Sequence, residues 1–161
     1  MSKTNDVDVI VDEIIAEEVD AGQARGTTDV VASIQALNNP DSGFYSSITS
    51  TDFASRLKVA SALTTSKALD DHLGQTIKLV NFIVQPVDLA DDNGTVETAP
   101  RVVLIDAEGN AFHATSVGLL SSLKNIVSAL GAPETWEHPI GISVARQKGN
   151  NGYSFFTIKF V

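Results

Sequence analysis

Residues 145–161, ARQKGNNGYSFFTIKFV, set Arg146 and Lys148 before a glycine–asparagine turn and Tyr153, Phe155 and Phe156 after it. Side chains alternate across a strand. Alternation therefore places Phe156, Ile158 and Phe160 on one face of the closing strand. Tyr153, Phe155, Thr157 and Lys159 fall on the other. On the strand before it, Ile140, Ile142 and Val144 share one face, and Gly141, Ser143 and Ala145 share the opposite one. The Ile/Val and Phe/Ile/Phe sets are natural core faces. That leaves Tyr153, Phe155 and Lys159 outward beside small residues, with Arg146 and Lys148 near the turn. Bases stack on aromatic rings at about 1–3 kcal/mol each, and cations follow phosphates, so such a face suits single-stranded nucleic acid. The competing use is structural: outward aromatics also pack under helices or a partner subunit.

Catalytic constellations are harder to assemble. His72, His113 and His138 are far apart, and no serine or carboxylate recurs at motif spacing around them. Asp88, Asp91 and Asp92 crowd one stretch and could hold a divalent cation, but loop solvation explains them better. GNNG lacks the lysine and serine or threonine of a phosphate-cradling loop. The chain reads as a non-enzyme without catalytic residues, metal or cofactor.

The elements that must position the outward face follow from composition and periodicity. A hydrophobic content of 43% over 161 residues supports a real core. There is no cysteine, which excludes disulfides and thiolate zinc sites and agrees with a reducing cytoplasm. Residues 1–30 hold eight acids and two bases, which is −6 of the total −9. The charge is therefore a property of an N-terminal arm more than of the whole chain. That acidic start is unlike a secretory signal, and no apolar run is long enough for a membrane span, so a soluble cytoplasmic protein is expected.

Three regions are expected. Residues 1–43 form an acidic arm, partly helical or disordered. Ile10, Val11, Ile14, Ile15 and Val19 give Asp6 to Asp20 a helical period, and Asp29 to Leu37 is a second short helix. Residues 44–74 are a helical lead-in. Asp52 or Thr51 caps a helix with Phe53, Leu57, Ala60 and Leu63 on one face, and Ser66 caps a shorter helix that stops at Gly74.

Residues 75–161 turn to strands. TIKLVNFIVQPVDL is a long strand whose Pro86 marks an edge or bulge. ADDNGTVETAP is a loop, and RVVLIDAEGNAFHAT a hairpin. SVGLLSSLKNIVSALG is a helix from a Ser116 cap to Gly131, with Val117, Leu120, Leu123, Ile126, Val127 and Leu130 along one side. Two more strands close the order. Five strands with a helix between the third and fourth match an OB-fold, a five-stranded Greek-key barrel, with another α+β domain as the alternative.

The stretches RVVLIDAEGNAFHATSVGLLSSLKNIVSAL and RQKGNNGYSFFTIKF carry a resemblance, and TIKLVNFIVQP adds to it. The chain resembles the single-stranded DNA-binding proteins of small protein-priming phages of Gram-positive bacteria and their relatives in other phages and mobile elements. The likeness spans roughly residues 74–161. It implies an OB-fold that coats single-stranded DNA during replication, without sequence preference and without catalysis. It also implies that Phe112, the aromatic after the acidic-glycine turn, stacks on bases, with His113 on the opposite face. The family's first strand ends in a tyrosine where this chain has Pro86, and its small members lack the long acidic arm.

Together these expectations name Phe112, Tyr153 and Phe155 as stacking platforms and Lys78, Arg101, Arg146, Lys148 and Lys159 as phosphate contacts. Phe82 is a weaker candidate, since a central strand buries it. Single-stranded DNA is the expected partner. Replication proteins are expected to dock on the acidic arm, no membrane is involved, and exposed strand edges leave a homo-oligomer open. The alternative is a protein-interaction module of a phage or mobile-element replication or virion complex.

Overall fold

The computed structural model describes residues 45–150 and 154–161. The acidic arm, its two expected helices and Tyr153 lie outside the described residues.

The longest strand organises the rest. After a two-residue strand β1 (Tyr45–Ser46), helix α1 (Phe53–Thr65) and a two-residue strand β2 (Lys67–Ala68), the chain enters β3 (Ile77–Ala90). β4 (Val96–Asp106) and β5 (Ala111–Thr115) follow as a hairpin. Helix α2 (Val117–Leu130) leads to β6 (Ile140–Lys148) and β7 (Ser154–Phe160). The sheet order is β2-β5-β4-β3-β6-β7, with β1 on β3. β2 runs parallel to β5, and every other pairing is antiparallel.

Along one edge, β3 pairs β6 at Ile77–Leu79 and β1 at Ile83–Val84, so the sheet curls into a half-barrel. The fold is mainly β and consistent with an OB-like fold. Among the described residues no ladder joins β5 to β7, so the barrel is open on that side. Helix α2 packs against β7 instead.

A bulge in β3 decides which residues are inside. Strict alternation would put Ile77, Leu79, Asn81 and Ile83 on one face. The pairing slips between Leu79 and Asn81, so two residues of β3 oppose one of β4. After the slip Phe82 and Val84 join Ile77 and Leu79 in the main core, and Ile83 turns to the other face. Phe82, the weaker stacking candidate, is fully buried, with its ring centroid 5.1 Å from that of Tyr45. The bulge thus falls at Val80 and not at Pro86. Pro86 pairs with Pro100 across β3 and β4. Two residues without N–H groups can face each other only where the ladder asks neither for a bond toward its partner, so this is a non-hydrogen-bonded pair.

The main core lies between the sheet and α2, where Leu119, Leu120, Leu123 and Ile126 meet Val102, Leu104, Ile142, Val144 and Phe156. Ser116 caps α2 by accepting from the Leu119 N–H at 3.1 Å. The helix ends at Gly131, whose positive φ of 85° suits a residue without a Cβ. A smaller cluster on the outer face holds α1 to the sheet through Ala62, with Val59 and Leu63 beside it, against Ile83, Val103, Ile105 and Ala111.

Of the two caps expected for α1, Asp52 serves, accepting from the Ser55 N–H at 2.8 Å. Several other expectations are corrected. α1 does not bury the face named for it: Phe53 is 71% exposed and Leu57 55%. The patch it meets is only a few residues wide, and the 59, 62, 63 spacing already fills it. The short helix from Ser66 to Gly74 is replaced by β2 and a 3-10 turn at Leu69–His72. β4 starts at Val96 and not at Arg101, because Asp91 closes a tight turn by accepting from the N–H groups of Asn93 and Thr95, both at 2.9 Å. Phe160, expected in the core, is 62% exposed beside the groove that α2 leaves over β6 and β7. Leu130 is exposed there too.

Candidate nucleic-acid interface

The register of β3, β6 and β7 builds one basic face. Lys78 of β3 stands opposite Gly141 of β6, and Lys159 of β7 stands opposite Ser143. Directly paired residues project to the same side of a sheet, as do residues two apart along a strand. Lys78, Gly141, Ser143, Ala145, Thr157 and Lys159 therefore share the outer face. Two exposed lysines flank a strip of small, half-buried side chains, with Val161 lying over Gly141 at one end of it.

Arg146 and Lys148 do not belong to that strip. Arg146 pairs in register with Phe156, so it lies on the core side of the hairpin. Its guanidinium sits 5.3 Å from the Phe156 ring centroid and forms an ion pair with Asp70 of the 3-10 turn. It closes the open end of the core more than it faces a ligand. Lys148, opposite Ser154, is exposed at the end of the same row.

The expected stacking platforms are placed differently. Phe112 is 7% exposed and belongs to the main core. Its ring meets His72 edge-on at 5.0 Å, and the Lys67 ammonium lies 6.0 Å from its centroid. With so little of the residue exposed, the ring as it stands offers no open face to a base. Phe155 is half-buried and packs on the main core beside the start of α2; a Cβ built on Gly118 would lie 3.6 Å from its ring. That is the structural use of an outward aromatic.

A polar network absent from the sequence expectations lies across β3, β4 and β5. Arg101 stands opposite Gln85 and Thr115. Its guanidinium donates to Gln85 Oε1 at 3.1 Å and to Ser66 Oγ at 3.2 Å. Ser66 Oγ in turn lies 2.8 Å from His113 Nδ1. Both partners of Arg101 among the described residues are neutral. Burial pushes the Arg101 pKa down from its ordinary value, yet a guanidinium stays charged. Burial also pushes the His113 pKa down, the charge of Arg101 adds to that, and a hydrogen bond at the Ser66 backbone works the other way.

The signal for His113 was in the sequence: alternation sets it opposite Phe112, so once Phe112 is inward His113 must be outward. Ser66 and Gln85 gave no such signal, since their meeting depends on the path of α1 and the bulge in β3. Beside this network, Lys58, Lys67, Asn81 and Asn110 line a polar cleft of about 350 Å³ between α1 and the β4–β5 turn.

The fold is an OB-like half-barrel whose outer face carries lysines beside small residues and a half-buried arginine bonded to neutral groups, a charge pattern that suits an extended polyanion. The family follows from comparison: the family model for phage single-stranded DNA-binding proteins matches residues 38–161, and the chain belongs to that family. Single-stranded DNA is the partner that membership gives, in a non-enzymatic family. No significant match exists among curated proteins or among solved structures. No helix among the described residues is long and apolar enough to cross a membrane.

Proposed function

We propose that the protein coats single-stranded DNA exposed during phage replication, without sequence preference, by phosphate contacts along the outer face of β3, β6 and β7. The observation that carries this reading is the pairing of Lys78 with Gly141 and Lys159 with Ser143. It sets two cations on either side of a strip with little side-chain bulk. Phosphate contacts of this kind do not distinguish sequences. Arg101 extends the cationic surface onto β4, while Lys148 lies on the other face of the hairpin near the turn. Tyr153 remains the candidate for a stacking ring, with Phe155 supporting the hairpin from beneath α2.

The test is a titration of the full chain with labelled oligothymidylate, duplex DNA and RNA at two salt concentrations. The expected result is binding to the single strand that weakens with salt and exceeds binding to duplex. Equal binding to duplex, or none to oligothymidylate, would overturn the proposal. The second reading, a protein-interaction module, draws on the apolar groove of about 860 Å³ between α2 and β6–β7, where Leu130, Phe160 and Val161 are exposed. It predicts no salt-dependent binding to oligothymidylate.

A further inference from the structure

We propose that Ser66, Arg101 and His113 form a phosphodiester-binding site on the outer face of β4 and β5, at which His113 takes up one proton from solvent when a single strand binds. The inference rests on the reading of the chain as a single-stranded DNA-binding protein and adds a proton-linked contact to it.

The geometry supplies the parts. Ser66 Oγ accepts from Arg101 at 3.2 Å and lies 2.8 Å from His113 Nδ1. With the ring neutral, the hydroxyl hydrogen is free to go to Nδ1, which makes Nδ1 the acceptor and leaves the proton on Nε2. With a second proton on the ring, Nδ1–H donates to Oγ. The hydroxyl hydrogen is then released and can turn to a phosphate oxygen. One proton enters at Nδ1, no covalent bond between heavy atoms changes, and the site gains one donor beside the guanidinium.

The charges around the ring give the direction. Arg101 of β4 is the charged group facing His113. From β2, Ala68 stands opposite His113, while Lys67 pairs with Phe112. β3 contributes Gln85, held by Arg101, and the end of α1 contributes the Ser66 hydroxyl. The 3-10 turn approaches β5 from the Phe112 side, where His72 meets that ring, Asp70 is paired with Arg146, and Asp71 is exposed. No carboxylate among these groups offsets Arg101 at His113. A phosphate seated at Arg101 does so, and it attracts the imidazolium itself. The charged ring is therefore favoured in the complex and disfavoured without it.

The sign follows by linkage. A ligand that raises the pKa of a group binds best where that group is protonated, so affinity is highest on the acid side and falls as pH rises through the His113 pKa of the complex. Each unit by which DNA raises that pKa is worth about tenfold in affinity.

The experiment compares oligothymidylate affinity of the full chain and of His113→Gln at pH 6 and pH 8. In parallel, NMR follows the His113 ring titration in the wild-type chain with and without the oligonucleotide. We expect the wild type to bind about three- to tenfold tighter at pH 6 than at pH 8, the variant to lose most of that ratio, and the His113 midpoint to rise on binding. A variant with the full wild-type ratio, or a midpoint that stays or falls, overturns the inference and leaves the DNA-binding reading standing. A wild-type chain that binds no oligothymidylate at either pH overturns both.

Discussion

The backbone of Phe156 passes so close to Gly118 that a Cβ on the glycine would stand 2.5 Å from the Phe156 carbonyl oxygen. Helix α2 thus meets β7 backbone to backbone, at the place where no ladder joins β5 to β7. Carbonyl oxygens of a strand cannot retreat as a flexible side chain can. Gly118→Ala would gain up to about 1 kcal/mol of helix propensity. It would also force α2 away from β7, at about 1–3 kcal/mol for overpacking. The expected outcome is a net loss of stability, read as a lower urea midpoint with an unchanged slope. A midpoint equal to or above that of the parent would show that α2 does not close the sheet this way.

Phe112 separates a core role from a stacking role. Burial of its ring predicts that Phe112→Ala costs about 3–5 kcal/mol of stability. Any loss of DNA binding should then follow the loss of folded protein. Phe112→Leu keeps most of the volume but removes the aromatic face, and it should bind oligothymidylate as the parent does. A stable Phe112→Leu protein that binds tenfold more weakly would return the ring to the DNA.

The contrast between these residues shows what the sequence could reveal. The hairpin faces were legible because alternation is a local rule: Ile142, Val144 and Phe156 are inside as their spacing requires. The caps at Asp52 and Ser116 and the stop at Gly131 were legible because each is a short-range hydrogen-bond problem with few solutions. Phe112 was named for stacking by the resemblance, although alternation already sets it with Ala114 on the face opposite His113 and Thr115. Arg146 looked free because its partner, Asp70, is distant in sequence. Phe53 and Phe160 looked buried because periodicity measures amphipathic order, not whether another surface arrives to cover it.

Lys78 and Lys159 should carry salt dependence without carrying stability. Both are exposed, so Lys78→Gln and Lys159→Gln should unfold with the parent's midpoint. Each should weaken oligothymidylate binding and flatten the slope of log K against log salt by about 0.7, the single-strand value per phosphate contact. Arg146→Gln should change the slope less, since its charge is already paired with Asp70. If Arg146→Gln removes more slope than either lysine variant, the DNA follows the hairpin tip and not the β3–β6–β7 strip.

The acidic residues 1–30, with −6 of the charge, should act on binding from outside the strip. A tethered anionic segment competes with DNA for the same lysines, and salt screens both interactions. Removing residues 1–30 should tighten oligothymidylate binding at low salt, with the gain shrinking as salt rises. Unchanged affinity at low salt would assign that charge to a protein partner or to neither role.

His113 should also leave a mark on stability. Its folded pKa lies below the ordinary value of 6.5, so the unfolded chain binds the proton more readily. The fold therefore has the full benefit of a neutral His113 above about pH 6.5. It loses that benefit as pH falls from there through the folded pKa. The ring is half-buried and partly open to water, so solvent screening keeps the effect small. His113→Gln lacks this component, so its melting temperature should fall less steeply than the parent's on acidification below pH 6.5. Parallel acid limbs would mean that neither burial nor Arg101 lowers the pKa of the ring in the folded chain.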